Sequence, residues 1–121
     1  MDKKFRELKF CGDSKSIIQS LAKQHQEVIG KSLFDLQLGN LEKIKIKPFK
    51  ELPKLGIDKL TINRTGSSFR VIFTARLGDT IYVLHTYQKK TRKTTKKDIE
   101  LVKQRYSDLL EALGKNPKGG K

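Results

Sequence analysis

A chain of 121 residues, 36% hydrophobic and 33% charged, has the length of one domain and room for one modest core. Its formal net charge of +14 points to a phosphate-bearing partner, nucleic acid ahead of membrane. The single cysteine, Cys11, excludes an internal disulfide and a cysteine-based metal site within one chain, and no run has the length of a signal peptide or membrane span, so a cytoplasmic protein without membrane contact is expected.

Phe5, Leu8 and Phe10 predict a short first strand, broken by Gly12-Asp13-Ser14, which offers helix N-caps. Cys11 at its end suits a small buried hydrophobe better than a nucleophile. From Ser14 to about Gln37, Ile17, Ile18, Leu21, Val28, Ile29, Leu33 and Leu36 recur at helical spacing. The polar run Lys23-Gln24-His25-Gln26 and Gly30 favour a helical hairpin over one long helix, and Gly39-Asn40 supplies the C-cap. Residues 43–56 form a basic connector. Alternation through Lys47 permits a short edge strand there, but Pro48 and Pro53 favour an extended loop.

Three strands follow, at Ile57–Arg64, Phe69–Arg76 and Thr80–Gln88, linked by Thr65-Gly66-Ser67-Ser68 and Leu77-Gly78-Asp79, both suited to antiparallel turns. Thr95 with Asp98 three residues on forms a capping box for a last helix, whose apolar positions are Ile99, Val102, Tyr106, Leu109, Leu110 and Leu113. Gly114 ends it. The order β-αα-βββ-α predicts an α+β domain over residues 1–114: a twisted, mainly antiparallel sheet with an N-terminal helical hairpin and a C-terminal helix packed on one face. Residues 115–121 are expected to form a flexible basic tail.

The positive charge is unevenly placed. Residues 1–42 hold seven Lys/Arg against six Asp/Glu, whereas residues 43–121 hold twenty against seven. The third of the three strands carries much of it out of the core. Ile81 to Leu84 has the composition of a buried strand, His85 and Tyr87 follow, and Lys89 to Lys97 contains six cations and no acid. Lys54, Arg64, Arg76, Lys90, Arg92, Lys93, Lys96 and Lys97 are the candidates for backbone contact with a nucleic acid.

Enzyme signatures such as a phosphate loop, a dinucleotide fingerprint or metal-ligand histidine spacing are absent, and neither a metal nor a cofactor is implied. RNA cleavage requires little beyond a basic surface. The 2′-hydroxyl attacks its own adjacent phosphate, a base takes its proton, an acid protonates the leaving 5′ oxygen, and a cation balances the phosphorane. His85 suits proton transfer near neutrality, although a histidine on a strand is more often a packed core residue. Tyr87 can stack on a base or donate a proton. Arg70, between Phe69 and Val71, needs either a carboxylate partner or an anionic ligand.

Three segments carry a family resemblance: Phe69-Arg70-Val71-Ile72-Phe73, then Ile81 through Thr94 with its Leu84-His85-Thr86-Tyr87-Gln88-Lys89-Lys90 core, then Asp98 to Arg105. Together they resemble the phage-related branch of the RelE/HigB toxin superfamily. The resemblance implies a type II toxin with a RelE-like fold: a metal-independent endoribonuclease that cleaves mRNA, on the ribosome or free, and inhibits translation. It also implies inhibition by a cognate antitoxin, commonly a helix-turn-helix protein encoded alongside. Arg70 matches the family's strand arginine at the scissile phosphate, and His85, Tyr87, Lys89 and Lys90 match the segment that supplies catalytic and RNA-contacting groups. One departure stands out. The family's preceding strand carries Glu-x-Arg, and here the matching positions are Lys59 and Thr61, with Arg64 a candidate substitute for the arginine. Competing readings are a non-catalytic RNA- or ribosome-binding module and a phage-derived accessory protein whose basic face binds DNA.

Overall fold

The computed structural model describes residues 5–64, 66–90 and 93–115; all of the expected tail except Lys115 lies outside them, as do Thr65 and Arg92. Strand β1 (Leu8–Phe10) leads into helices α1 (Ser14–Gln19) and α2 (Lys23–Leu38) and a single 3₁₀ turn at Leu41–Lys43. Strands β2 (Lys45–Pro48), β3 (Ile57–Arg64), β4 (Ser67–Leu77) and β5 (Thr80–Gln88) follow, and helix α3 (Lys96–Ala112) closes the order. The five strands form one sheet in the order β1-β5-β4-β3-β2, with β1 parallel to β5 and all other pairs antiparallel.

The helical hairpin forms, but the break falls at residues 20–22, and the polar run of residues 23–26 and Gly30 both lie within α2, the run as its first turn. Gly39 adopts φ +78° at the end of α2, and the amides of Gly39 and Asn40 return to the carbonyls of Leu36 and Asp35. This closing turn wants a residue free of a Cβ. At the start of α3 the capping box is in place: Thr95 Oγ1 accepts from the Asp98 amide at 3.1 Å and donates to Asp98 Oδ2 at 2.6 Å. Asp13 precedes α1 but makes no cap hydrogen bond with its side chain. Its carboxylate is used elsewhere.

Two expectations are corrected. The segment after Ile44 is an edge strand, not an extended loop: Lys45, Ile46, Lys47 and Pro48 stand opposite Thr61, Leu60, Lys59 and Asp58. A proline is tolerated on such an edge, and the lysines discourage pairing with a further chain. The helices also cover two faces of the sheet rather than one. Ile18, Ile29, Leu33 and Leu36 from α1 and α2 pack on Leu60, Ile62, Phe69, Val71, Phe73, Ile81 and Val83. On the other face Val102 of α3 and Phe49 of the β2–β3 loop pack on Ile57, Ile72 and Leu84. The cause lies in β5, where four successive apolar residues from Ile81 to Leu84 are buried and so need cover on both sides.

Candidate nucleic-acid interface

Strand alternation decides which side chains share a face. On β4, the odd-numbered Phe69, Val71 and Phe73 face α2, so Ser68, Arg70 and Ile72 face the side of α3. Register carries this across the sheet. Arg70 stands between Thr61 and Tyr87, Ser68 is opposite Asn63, and Ile72 lies between Lys59 and His85. Lys45 and Lys47 continue the rows beyond Thr61 and Lys59. The α3 face therefore presents Lys45, Lys47, Lys59 and Arg70, with Lys89 following Tyr87 at the same parity.

The pairing of β4 with β5 shifts by one residue between Ile72/His85 and Phe73/Val83, leaving Leu84 as the extra residue of a bulge. The bulge turns both Leu84 and His85 toward α3, the kind of re-aiming such irregularities achieve. Leu84 enters the core beside Val102. His85, 3% exposed, directs Nε2 at Asp98 Oδ1 (2.7 Å) and Nδ1 at Arg105 Nη1 (3.2 Å). Arginine only donates, so Nδ1 accepts and the ring proton sits on Nε2, shared with Asp98. Both nitrogens of His85 are thereby engaged inside the protein.

Arg105 is the hub of this network. Besides His85 it donates to the Leu84 carbonyl (3.0 Å) and to Asp13 Oδ1 (2.6 Å). It occupies the space over Gly12, whose φ is +57°; a Cβ there would lie 2.4 Å from Arg105 Nε. Burial raises the Cys11 thiol above its usual range, partly opposed by the Arg105 charge, which keeps it a thiol in this packed corner.

Tyr87 stacks on His85 with ring centroids 5.4 Å apart, and its hydroxyl meets Thr94 Oγ1 at 2.9 Å. Burial raises its pKa; the Thr94 hydrogen bond opposes the rise and the carboxylates of Asp98 and Glu51 add to it. The group stays a phenol and a donor. Arg70 Nη1 donates to Ser68 Oγ at 2.7 Å and to the Phe69 carbonyl at 3.1 Å, and no carboxylate among the described residues lies within ion-pair distance of it. Lys89 has its pKa lowered, first by desolvation and then by the charges of Arg70, Lys59 and Lys50, with Glu51 opposing. These groups therefore converge on one patch.

That face belongs to a recognisable family. Residues 16–107 match the family described as Phage derived protein Gp49-like (DUF891). The chain is a member of the Gp49-like family. The match takes in β2 to β5 and most of α3, and the family is associated with the toxins of toxin–antitoxin systems, which implies a cognate antitoxin partner. No curated protein matches the chain closely enough to add to this.

The Gp49-like chain brings Arg70, Tyr87 and Lys89 together and seats His85 behind Tyr87, away from solvent. The wider basic set is dispersed. Lys93 borders a small hollow of about 140 Å³ with Tyr87, Lys89, Lys90 and Asp98, and Lys96 and Lys97 lie in the first turn of α3. Arg64 leaves β3 at the parity of Leu60 and Ile62, so it does not replace the arginine missing at Thr61. Arg76 lies six residues along β4 from Arg70 and pairs with Asp58 at 3.7 Å. Lys54, with φ +70°, is in the β2–β3 loop, and Arg92 is outside the described residues. The sequence placed Lys45, Lys47, Lys50 and Lys59 only within a basic stretch of residues 43–97 expected to bind RNA, without picking them out as one face, and did not single out Glu51. The signal for the first two was present in the alternation Lys45-Ile46-Lys47.

No helix among the described residues is long and apolar enough to cross a membrane, and no group of three or more His, Cys, Asp or Glu could hold a metal ion there.

Proposed function

We propose that this Gp49-like chain is the toxin of a type II toxin–antitoxin pair and an endoribonuclease that cleaves mRNA, on the ribosome or free in the cytoplasm. The observation that supports this most is Arg70: a half-buried guanidinium in the middle of a sheet, flanked by further cations, with no carboxylate of the described residues within ion-pair distance. Such a charge is stabilised by an anionic ligand, and a planar fork suits phosphate.

In this reading Arg70 holds the scissile phosphate and balances the charge that builds on it. Lys89, whose proton is easier to release than an ordinary lysine's, protonates the leaving 5′ oxygen. Tyr87 donates a hydrogen bond or stacks on a base, and His85 positions Tyr87 and the end of β5. Lys45, Lys47, Lys50 and Lys59 hold the neighbouring phosphates. The reaction needs proton transfer and charge stabilisation, both of which side chains supply without a metal. Lys59 and Thr61 in place of Glu and Arg favour one second reading, in which the same face binds RNA without cutting it.

One experiment separates the two. The purified protein is incubated with a defined mRNA, with and without ribosomes, in EDTA. Arg70→Ala should lower cleavage about 10²–10³-fold, the scale of one preorganised electrostatic group, while RNA binding falls far less. Arg70→Lys should restore activity only partly, because a point charge cannot reproduce the fork. Cleavage by Arg70→Ala equal to that of the parent would refute the assignment.

A further inference from the structure

The β2–β3 loop folds back over the α3 face. Phe49 is buried against Ile72, Leu84 and Val102, its amide bonds to the Ile57 carbonyl at 2.9 Å, and Tyr106 of α3 donates to the Leu55 carbonyl at 2.7 Å. Between these anchors the amide of Leu52 returns to Phe49 at 3.1 Å, making a tight turn with Lys50 and Glu51 at its centre. The turn stands beside the basic patch: Leu52, which closes it, and Tyr87 border the same apolar cluster, and the charge of Glu51 acts on both Tyr87 and Lys89.

Glu51 is chemically out of place there. Its Oε1 is buried and has no hydrogen-bond partner, and no cation of the described patch comes within ion-pair distance of the carboxylate. A carboxylate that served only to neutralise the lysines would gain most by touching one of them. Oε2 is not enclosed in this way and has no hydrogen-bond partner among the described residues either, so it is the oxygen of this carboxylate that can meet a ligand and accept a proton.

We propose that Glu51 is the general base of this face, taking the proton of the attacking 2′-hydroxyl. This rests on the RNA-cleavage reading and adds to it the group that reading lacks. The bond from O2′ to phosphorus forms as the 2′ proton passes to the Glu51 carboxylate. The bond from phosphorus to O5′ breaks as Lys89 gives its proton to O5′. The products are a 2′,3′-cyclic phosphate and a 5′-hydroxyl end. No oxidant, reductant or further reactant is needed.

The test compares the parent, Glu51→Gln, Glu51→Asp and Lys89→Ala on two RNAs, one with a normal 5′ oxygen at the cleavage site and one with sulfur in its place. Glu51→Gln is isosteric and removes only the basicity. It should lower cleavage of the normal RNA at least about 10²-fold, the scale of general-base catalysis, with RNA affinity unchanged or tighter because a negative charge has gone. Glu51→Asp should retain more activity than Glu51→Gln. Sulfur leaves without protonation, so the modified RNA should restore cleavage by Lys89→Ala and leave Glu51→Gln defective. If Glu51→Gln cleaves like the parent while binding RNA more tightly, Glu51 is only a charge balance and the proposal falls, though the nuclease reading stands. If the parent cleaves neither RNA, both fall.

Discussion

The face assignment makes a prediction that composition alone would not. Six cations converge on the uncovered half of the α3 face: Lys45, Lys47, Lys50, Lys59, Arg70 and Lys89. On single-stranded nucleic acid each neutralised phosphate adds about −0.7 to the slope of log affinity against log salt, so six contacts give about −4. Replacing Lys45, Lys47 and Lys59 with Gln removes three contacts and should bring the slope to about −2. Replacing Arg64 and Arg76 also removes two positive charges from a chain of +14, yet these residues lie off the patch, one at the parity of the opposite face and one paired with Asp58. That variant should keep a slope of about −4.

The assay is fluorescence anisotropy with a labelled single-stranded RNA, titrated from about 50 to 200 mM salt, where such slopes are steep. The triple variant should lose affinity about equally for unrelated sequences, because phosphate contacts carry no sequence information directly. Solvent-facing substitutions of this kind change stability by about 0.5 kcal/mol or less, so both variants should melt like the parent. If the Arg64 and Arg76 variant flattens the slope as much as the triple variant, net charge governs binding and the face argument is refuted.

Two further outcomes follow from the same geometry. Lys89 titrates below the usual lysine value of 10.5, and its active form is the protonated one, so cleavage should decline as pH rises through that lowered value. Lys89→Arg stays charged throughout and should lose this alkaline limb; an unchanged limb would exclude Lys89 as its source. Val102 is fully buried in the α3 core, so Val102→Ala should cost about 2 kcal/mol from two lost methyl groups and the space they leave, read from denaturant unfolding. Val102→Asp should abolish the cooperative melt, and retention of the fold would mean that this helix face is exposed.

What was legible in the sequence was whatever composition fixes locally. The three long strands fell within a few residues of their predicted bounds because each is a β-branched and aromatic run between turn residues. The capping box at Thr95 and Asp98 was visible because its two members are three residues apart. β2 was not, since Pro48 argued against a strand and only pairing with β3 shows that it ends an edge. Arg70 stood out as a cation in an apolar run. Lys45, Lys47 and Lys59 did not, because their convergence on Arg70 is a matter of register between three strands. Glu51 depended on a loop folding back over the sheet. His85 was evident as a residue, but its partners Asp98 and Arg105 are 13 and 20 positions away, and only the fold shows that they occupy both ring nitrogens.

The two halves of the α3 face divide the work between them. β1 stops pairing at Phe10, so among the described residues no strand lies beside the outer edge of β5 beyond Val83. Arg105 reaches through the space left by Gly12 to the Leu84 carbonyl, where a neighbouring strand would otherwise supply a donor. Asp13 and His85 hold the guanidinium in place, and Asp98 joins His85 to the first turn of α3. The charges on this half are thus spent on one another. Across Tyr87, on the half toward β2, Lys45, Lys47, Lys50, Lys59 and Arg70 gather beside Glu51, which makes no ion pair among the described residues. A network that pairs its own charges anchors the end of β5 beside a patch whose arginine, Arg70, has no carboxylate of the described residues within ion-pair distance. That asymmetry is a stronger argument for a site than the net charge, which either half could have carried on a merely solvated surface.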